Sequence, residues 1–141
     1  MIENYNVKHK PWLYDIDIKS HYWPWTIEGW CDLAGYIFRV YSLKGVPRGF
    51  SCFKVGNHSL EVVKLCVHPT FRRLGFGSLL QNDLVHMAIS QRKQKLCMIV
   101  HEHNTYFDWL VKRGWKAGLV ERKLFPDGTD GFCFEREIII N

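Results

Sequence analysis

One stretch constrains this chain more than any other: a β-branched apolar run that meets a proline, then two glycines set two apart, then a long amphipathic segment. The run is "SLEVVKLCV", ending at Val67. Pro69 interrupts it, and "FRRLGFG" carries Arg72, Arg73, Gly75 and Gly77. The segment "GSLLQNDLVHMAISQRKQ" then places Leu79, Leu80, Leu84, Met87 and Ala88 on one helical face. A mostly apolar strand of this kind is buried on both faces, and a strand that feeds a helix through a short turn is a crossover unit. The turn also carries chemistry. Glycines let backbone N–H groups approach an anion with no Cβ in the way, and a helix start adds unpaired donors. Arg72 and Arg73 supply charge-assisted hydrogen bonds to phosphate oxygens. Neither G-x-x-x-x-G-K-[ST] nor a first-strand G-x-G-x-x-G is present, so the nucleotide loops built on those motifs are excluded. A pyrophosphate-binding turn is the favoured reading, and a plain tight strand-to-helix turn is the alternative.

The flanking sequence fills out one domain, residues 1–141, with no repeat or linker. "IENYNVK" reads as a strand, "PWLYDIDIKSHY" and "WPWTIEGWCDLAG" as helices, and "YIFRVYSL" and "RGFSCFKVG" as strands around a turn in "KGVPRG". Past the amphipathic helix come a buried strand "KLCMIVH", a helix "NTYFDWLVKRG", and a hairpin of "WKAGLVERKLF" and "GFCFEREIII" around "PDGTDG". Thr26 is a fair N-cap, and Gly35 and Gly114 stand where helices should stop. The fold class is α/β, with a mixed sheet of about seven strands and four helices, antiparallel at first.

The five cysteines, 31, 52, 66, 97 and 133, never fall into C-x-x-C, which points to reduced thiols used as small core residues. Six tryptophans point either to an apolar groove or surface, or to an aromatic core. A net charge of +5 favours an acidic ligand without making a nucleic-acid tail. With no run of eighteen apolar residues and no leader pattern, the expected location is the cytoplasm.

"LCVHPTFRRLGFGSLL" resembles motif A of the GNAT acyltransferases, V-x-P-x-x-[RQ]-x-x-G-x-[GA]. "SHYWPWTIEGW", "HNTYFDWLVKRGW" and "ERKLFPDGTDGF" resemble stretches of the RimI-like ribosomal-protein alanine N-acetyltransferases within that superfamily, so the likeness runs along nearly the whole chain. The resemblance implies a GNAT fold with acetyl-CoA as co-substrate and no metal. It implies that the pantetheine arm pairs with the backbone of Leu65, Cys66 and Val67. It places the pyrophosphate on the turn of Arg72, Arg73, Leu74, Gly75, Phe76, Gly77 and Ser78, with Asn104 touching the pantetheine or the thioester end.

The likeness breaks at two chemical positions. Where RimI-like enzymes carry a base glutamate this chain has Ile99, and where they carry an acid tyrosine it has Leu110. Deprotonating an ammonium needs a base within reach. Glu61 is the first choice: histone-acetyltransferase members carry a glutamate at this offset, and Glu61 shares alternation with Leu65 and Val67. Its apolar neighbours Leu60, Val62 and Val63 are expected to raise its pKa. A solvent-facing glutamate is the plain alternative. His101 is second, two residues after Ile99 on the same side of the strand. Glu102 has the opposite parity, and His101 with His103 form only half of a metal site. His21 and His58 read as surface residues or as supports behind the site. Tyr106 is out of place for an acid, and Cys66 is a structural thiol before it is an acyl acceptor. No group stands out as the general acid.

The expected function is an acetyl-CoA-dependent N-acetyltransferase working by direct transfer to a primary amine: a protein N-terminus, a lysine or a small amine. The acceptor groove is expected between "HYWPW" and the terminal hairpin, where Leu124 and Phe125 stand at the family's tyrosine positions. The alternative is a weak or inactive acyl-CoA-binding module that recognises a partner protein. Membrane and nucleic-acid partners are disfavoured.

Overall fold

Lys44 and Gly45 both take positive φ, 53° and 78°, the backbone that a two-residue hairpin turn needs to match strand twist. The first hairpin therefore turns more tightly than "KGVPRG" implies: β2 (Ile37–Leu43) passes directly into β3 (Val46–Val55). The computed structural model describes residues 1–20, 24–104 and 107–138. His21 and Tyr106 lie outside the described residues, as does part of "HYWPW". The remaining elements are β1 (Ile2–Asn4), α1 (Lys10–Ser20), α2 (Ile27–Cys31), β4 (Ser59–Val67), α3 (Phe76–Ser90), β5 (Lys95–His101), α4 (Phe107–Lys112), β6 (Lys116–Glu121) and β7 (Gly131–Glu137). Thr26 caps α2 as expected, its hydroxyl accepting from the Gly29 N–H at 3.2 Å. Among the described residues the expected α/β fold is present, with seven strands in one mixed sheet and four α-helices.

The sheet runs β1-β2-β3-β4-β5-β7-β6, and every pairing is antiparallel except β4 with β5. That one parallel pair follows from the crossover through α3. On the α3 face, Leu80, Leu84 and Ala88 pack with Leu60, Val62, Leu96, Met98, Trp115 and Phe134. On the other face, Leu13, Ile16 and Trp30 of α1 and α2 cover Val40, Phe50, Cys52 and Cys66 of the sheet. Burial of these side chains drives the fold, at roughly 25 cal/mol per Å² of apolar surface removed from water. Trp30 and Trp115 serve this core, Trp12 is exposed, and Trp25 and Trp109 are half-buried, so the tryptophans divide between the two readings. The cysteines divide as well: Cys52 and Cys66 are core residues, but Cys31 is exposed and Cys97 and Cys133 are partly so.

Two irregularities in β4 position the site. Phe53 pairs with Val62 while Cys52 pairs with Lys64, so Val63 is an extra residue in the ladder. This bulge turns Lys64 beneath α1, where its ammonium meets Asp17 at 2.8 Å with the two side chains 4% and 0% exposed. The second irregularity is that β4 pairs with β5 only from Ser59↔Lys95 to Val62↔Met98. Beyond that rung the two strands part. No helix among the described residues is long and apolar enough to cross a membrane.

Candidate functional site

A cavity of about 540 Å³ opens where β4 and β5 separate, and it runs to the start of α3. Nine of the residues expected to hold the cofactor line it: Leu65, Cys66, Val67, Arg72, Arg73, Gly75, Gly77, Ser78 and Asn104. The side chains of Leu74 and Phe76 do not. Leu74 is 62% exposed, and Phe76 stacks on Tyr41 with ring centroids 4.5 Å apart.

The turn is shaped by residues in the left-handed region, Arg73 at φ 64° and Gly75 at φ 87°. A non-glycine residue there is uncommon, and such strain collects at ligand sites. Left-handed residues in a turn allow neighbouring N–H groups to face one concavity, as an anion nest requires. Gly75 caps α3 without any side-chain hydrogen bond, so the first-turn N–H groups have no capping oxygen. A Cβ added at Gly75 would meet nothing within 4 Å, so its role is conformational. Gly77 is different. A Cβ there would stand 3.1 Å from Cζ2 of Trp109, so this glycine makes room for α4 against α3. These features fit a phosphate-bearing ligand.

The arginines of the turn have unequal duties. Arg72 donates from Nε to the Val67 carbonyl at 3.0 Å, which closes the end of β4. Four lining residues were not foreseen: Ser20, Phe71, Trp109 and Arg113. Trp109 on α4 and Arg113, one residue past its end, stand four apart, which the sequence shows, but no sequence signal aims the pair at the turn. Arg113 donates from Nε to Ser78 Oγ at 3.0 Å and lies 4.1 Å over the Trp109 ring.

Full burial pushes the Cys66 thiol well above its ordinary range, with the Asp17 charge adding to the effect. Cys66 is a neutral wall residue and no nucleophile.

The candidate bases sit on the sheet face that α1 and α2 leave uncovered. Glu61 is exposed, so the apolar enclosure expected around it is absent. Its expected alternation with Leu65 and Val67 is broken by the bulge at Val63, which puts Glu61 on the open face while Leu65 packs toward α3. Glu61 stands one residue before the rung at which the strands part, but its Oε1 rests over Gly56 at the β3–β4 turn. His101 is buried beneath the β6–β7 connection. Its Nδ1 accepts from the His103 N–H at 3.0 Å, which places the neutral ring's proton on Nε2, 2.6 Å from Thr129 Oγ1. Thr129 in turn meets Asp127 Oδ1 at 2.5 Å. Burial, chiefly, holds the His101 pKa below its ordinary value. With both nitrogens engaged, His101 is a clamp on the hairpin and not a free base.

Glu102 Oε1 accepts from the Asp130 N–H at 3.1 Å and joins the same clamp. Ile99 is 49% exposed on the open face, whereas Leu110 is wholly buried. His101 and His103 have ring centroids 5.3 Å apart, and no group of three metal-binding side chains occurs among the described residues.

The model of the acetyltransferase (GNAT) family matches residues 4–107. No relative is found among curated proteins. Among solved structures, a ribosomal-protein alanine N-acetyltransferase from Escherichia coli is 20% identical, with a TM-score of 0.85 over 100% of this chain and 95% of its own. Ard1 from Thermoplasma volcanium is 20% identical, with a TM-score of 0.90 over 99% and 98%. A GNAT family acetyltransferase from Elizabethkingia anophelis, solved with acetyl-CoA bound, is 17% identical, with a TM-score of 0.83 over 97% of both chains.

Proposed function

The chain belongs to the acetyltransferase (GNAT) family, and from that premise we propose that it moves an acetyl group from acetyl-CoA directly to a primary amine. The observation that carries this reading is the cavity at the β4–β5 split, which runs from the parted end of β4 to a polar, left-handed turn, with Glu61 exposed on β4 four residues before Leu65, the first residue of that strand to line it. Leu65, Cys66 and Val67 have left the β5 ladder, so their backbone groups on that side are available to a pantetheine arm. The turn from Arg72 to Ser78 holds the phosphates. The thioester supplies the activated acetyl group when bound, and the chain's own residues do the rest.

Glu61 takes the proton from the incoming ammonium, leaving its resting place over Gly56 to do so, directly or through one water. Among the carboxylates and imidazoles weighed for this task, it alone has no hydrogen bond or ion pair among the described residues, whereas His101 and Glu102 are both committed to the hairpin. The acceptor enters over Ile99 and Val63, beneath Leu124 and Phe125. Gly131 lets Ile99 and Leu124 close on each other, since a Cβ there would stand 2.8 Å from each. An apolar floor beside a carboxylate suits an amine carried by an apolar group or peptide. It disfavours polycationic acceptors.

The test is a thiol-release assay over a panel of peptide N-termini, lysine peptides and small amines, run with wild type and Glu61→Gln. General base catalysis contributes about 10²–10⁴-fold, so kcat should fall by at least a hundredfold while CoA binding persists. An unchanged kcat removes Glu61 from the mechanism. A second reading rests on Ile99 and Leu110, apolar at the positions where RimI-like members carry base and acid. If wild type binds CoA but turns over no amine, the chain is an acyl-CoA-binding module.

A further inference from the structure

We propose that Arg113, delivered by α4, is the residue that makes the cavity read the pyrophosphate of its acyl carrier. It thereby selects a CoA-type thioester over a bare pantetheine thioester. This rests on the CoA reading above and assigns to that site a residue outside the glycine turn. Arg72 and Arg73 are both exposed, and Arg72 already spends its Nε on Val67. Charges in such positions are screened by salt and held loosely.

Arg113 differs on each count. It is half-buried, its guanidinium is stacked on Trp109 at 4.1 Å, and its Nη1 donates to the Trp109 carbonyl at 3.3 Å. Of the five N–H donors on a guanidinium, these bonds and the one to Ser78 use two, leaving three without a protein partner among the described residues. They belong to a side chain that lines the cavity within reach of the turn, because its partner Ser78 is the third residue of α3 and lines the same cavity. Ser78 is set by the same bond: with its oxygen accepting from Nε at 3.0 Å, its proton is free to point at a ligand oxygen. The planar fork, fixed in advance by stacking, suits a phosphate and loses little entropy on binding.

Calorimetric titration of the full chain with CoA, dephospho-CoA and pantetheine tests the assignment, using wild type, Arg113→Gln and Ser78→Ala. A charge-assisted hydrogen bond is worth enough that Arg113→Gln should weaken CoA and dephospho-CoA alike by about ten- to a hundredfold. Pantetheine should be unaffected. Ser78→Ala should weaken the same two ligands several-fold, and it carries the test if the arginine variant does not fold. Equal weakening of all three ligands would show a merely structural role, and unchanged CoA affinity would show no role. A loss confined to CoA would move the contact to the 3′-phosphate. Each of those results overturns the proposal. Failure of wild type to bind CoA at all would instead overturn the cofactor reading beneath it.

Discussion

Replacing Lys64 with methionine tests the architecture that places the site. The Lys64 ammonium and the Asp17 carboxylate are 4% and 0% exposed and 2.8 Å apart. Asp17 Oδ2 also accepts from the Trp25 N–H at 3.0 Å and from Trp30 Nε1 at 3.1 Å, and the ammonium lies 4.5 Å over the Trp25 ring. This one carboxylate therefore ties α1, the start of α2 and the bulged part of β4 together. Removing the cation leaves the carboxylate buried without its counter-charge, a change that costs about 3–5 kcal/mol in comparable cases. Unfolding entropy of about 2.1 cal/mol/K per residue over 141 residues makes each kcal/mol worth about 3.4 °C, so Lys64→Met should lower Tm by about 10–17 °C. Asp17→Leu should cost a similar amount, because it strands the ammonium.

The double variant should recover most of the loss, since apolar replacement of a whole buried pair is often neutral. Urea denaturation of the two single variants and the double variant gives the coupling term directly. The reasoning fails if Lys64→Met costs under about 1 kcal/mol, for the ammonium would then have reached water in the folded state. The double variant should also raise KM for the acceptor more than it lowers kcat, because Trp25 has lost its anchor.

Two further predictions concern the turn and the hairpin. Gly75→Ala forces a Cβ into φ 87° at a cost of about 1–2 kcal/mol, which urea denaturation should show. Gly77→Ala sits at an ordinary φ and gains up to about 1 kcal/mol of helix propensity, but the 3.1 Å approach to Trp109 costs about 1–3 kcal/mol. It should be destabilising alone and become stabilising once Trp109 is cut to leucine; strict additivity of the two changes would refute the contact. For pH, burial lowers the His101 pKa from its ordinary 6.5, so the unfolded chain binds the proton more readily than the folded one. This contribution to stability is complete above about 6.5 and is lost as pH falls from there through the folded value. His68 is shifted the same way, chiefly by burial. His101→Gln should therefore flatten the acid limb of a stability–pH curve only in part, and an unchanged limb would exclude His101 from it.

Much of the site was legible because it is local. Gly75 announces a left-handed turn, Pro69 a strand end, and the spacing of Leu80, Leu84 and Ala88 a helix that must cross over the sheet. These constraints act within a few residues of each other, and nine expected cofactor residues do line one cavity. The base was less legible. Alternation along β4 is a period-two argument, and one inserted residue at Val63 reverses it, so Glu61 and Leu65 face opposite ways. A bulge has no sequence signature here, since it is set by the pairing with β3.

The sequence by itself determined the α/β class, the crossover and the left-handed shape of the turn, because propensity, glycine conformation and hydrophobic period act over short ranges. Only the tertiary structure decided that Arg113 and Trp109 reach the turn, that Gly77 serves α4, and that His101 is spent on Thr129. Each of these depends on side chains 28 to 35 positions apart meeting in space. Packing of whole elements fixes such meetings, and no local pattern encodes them.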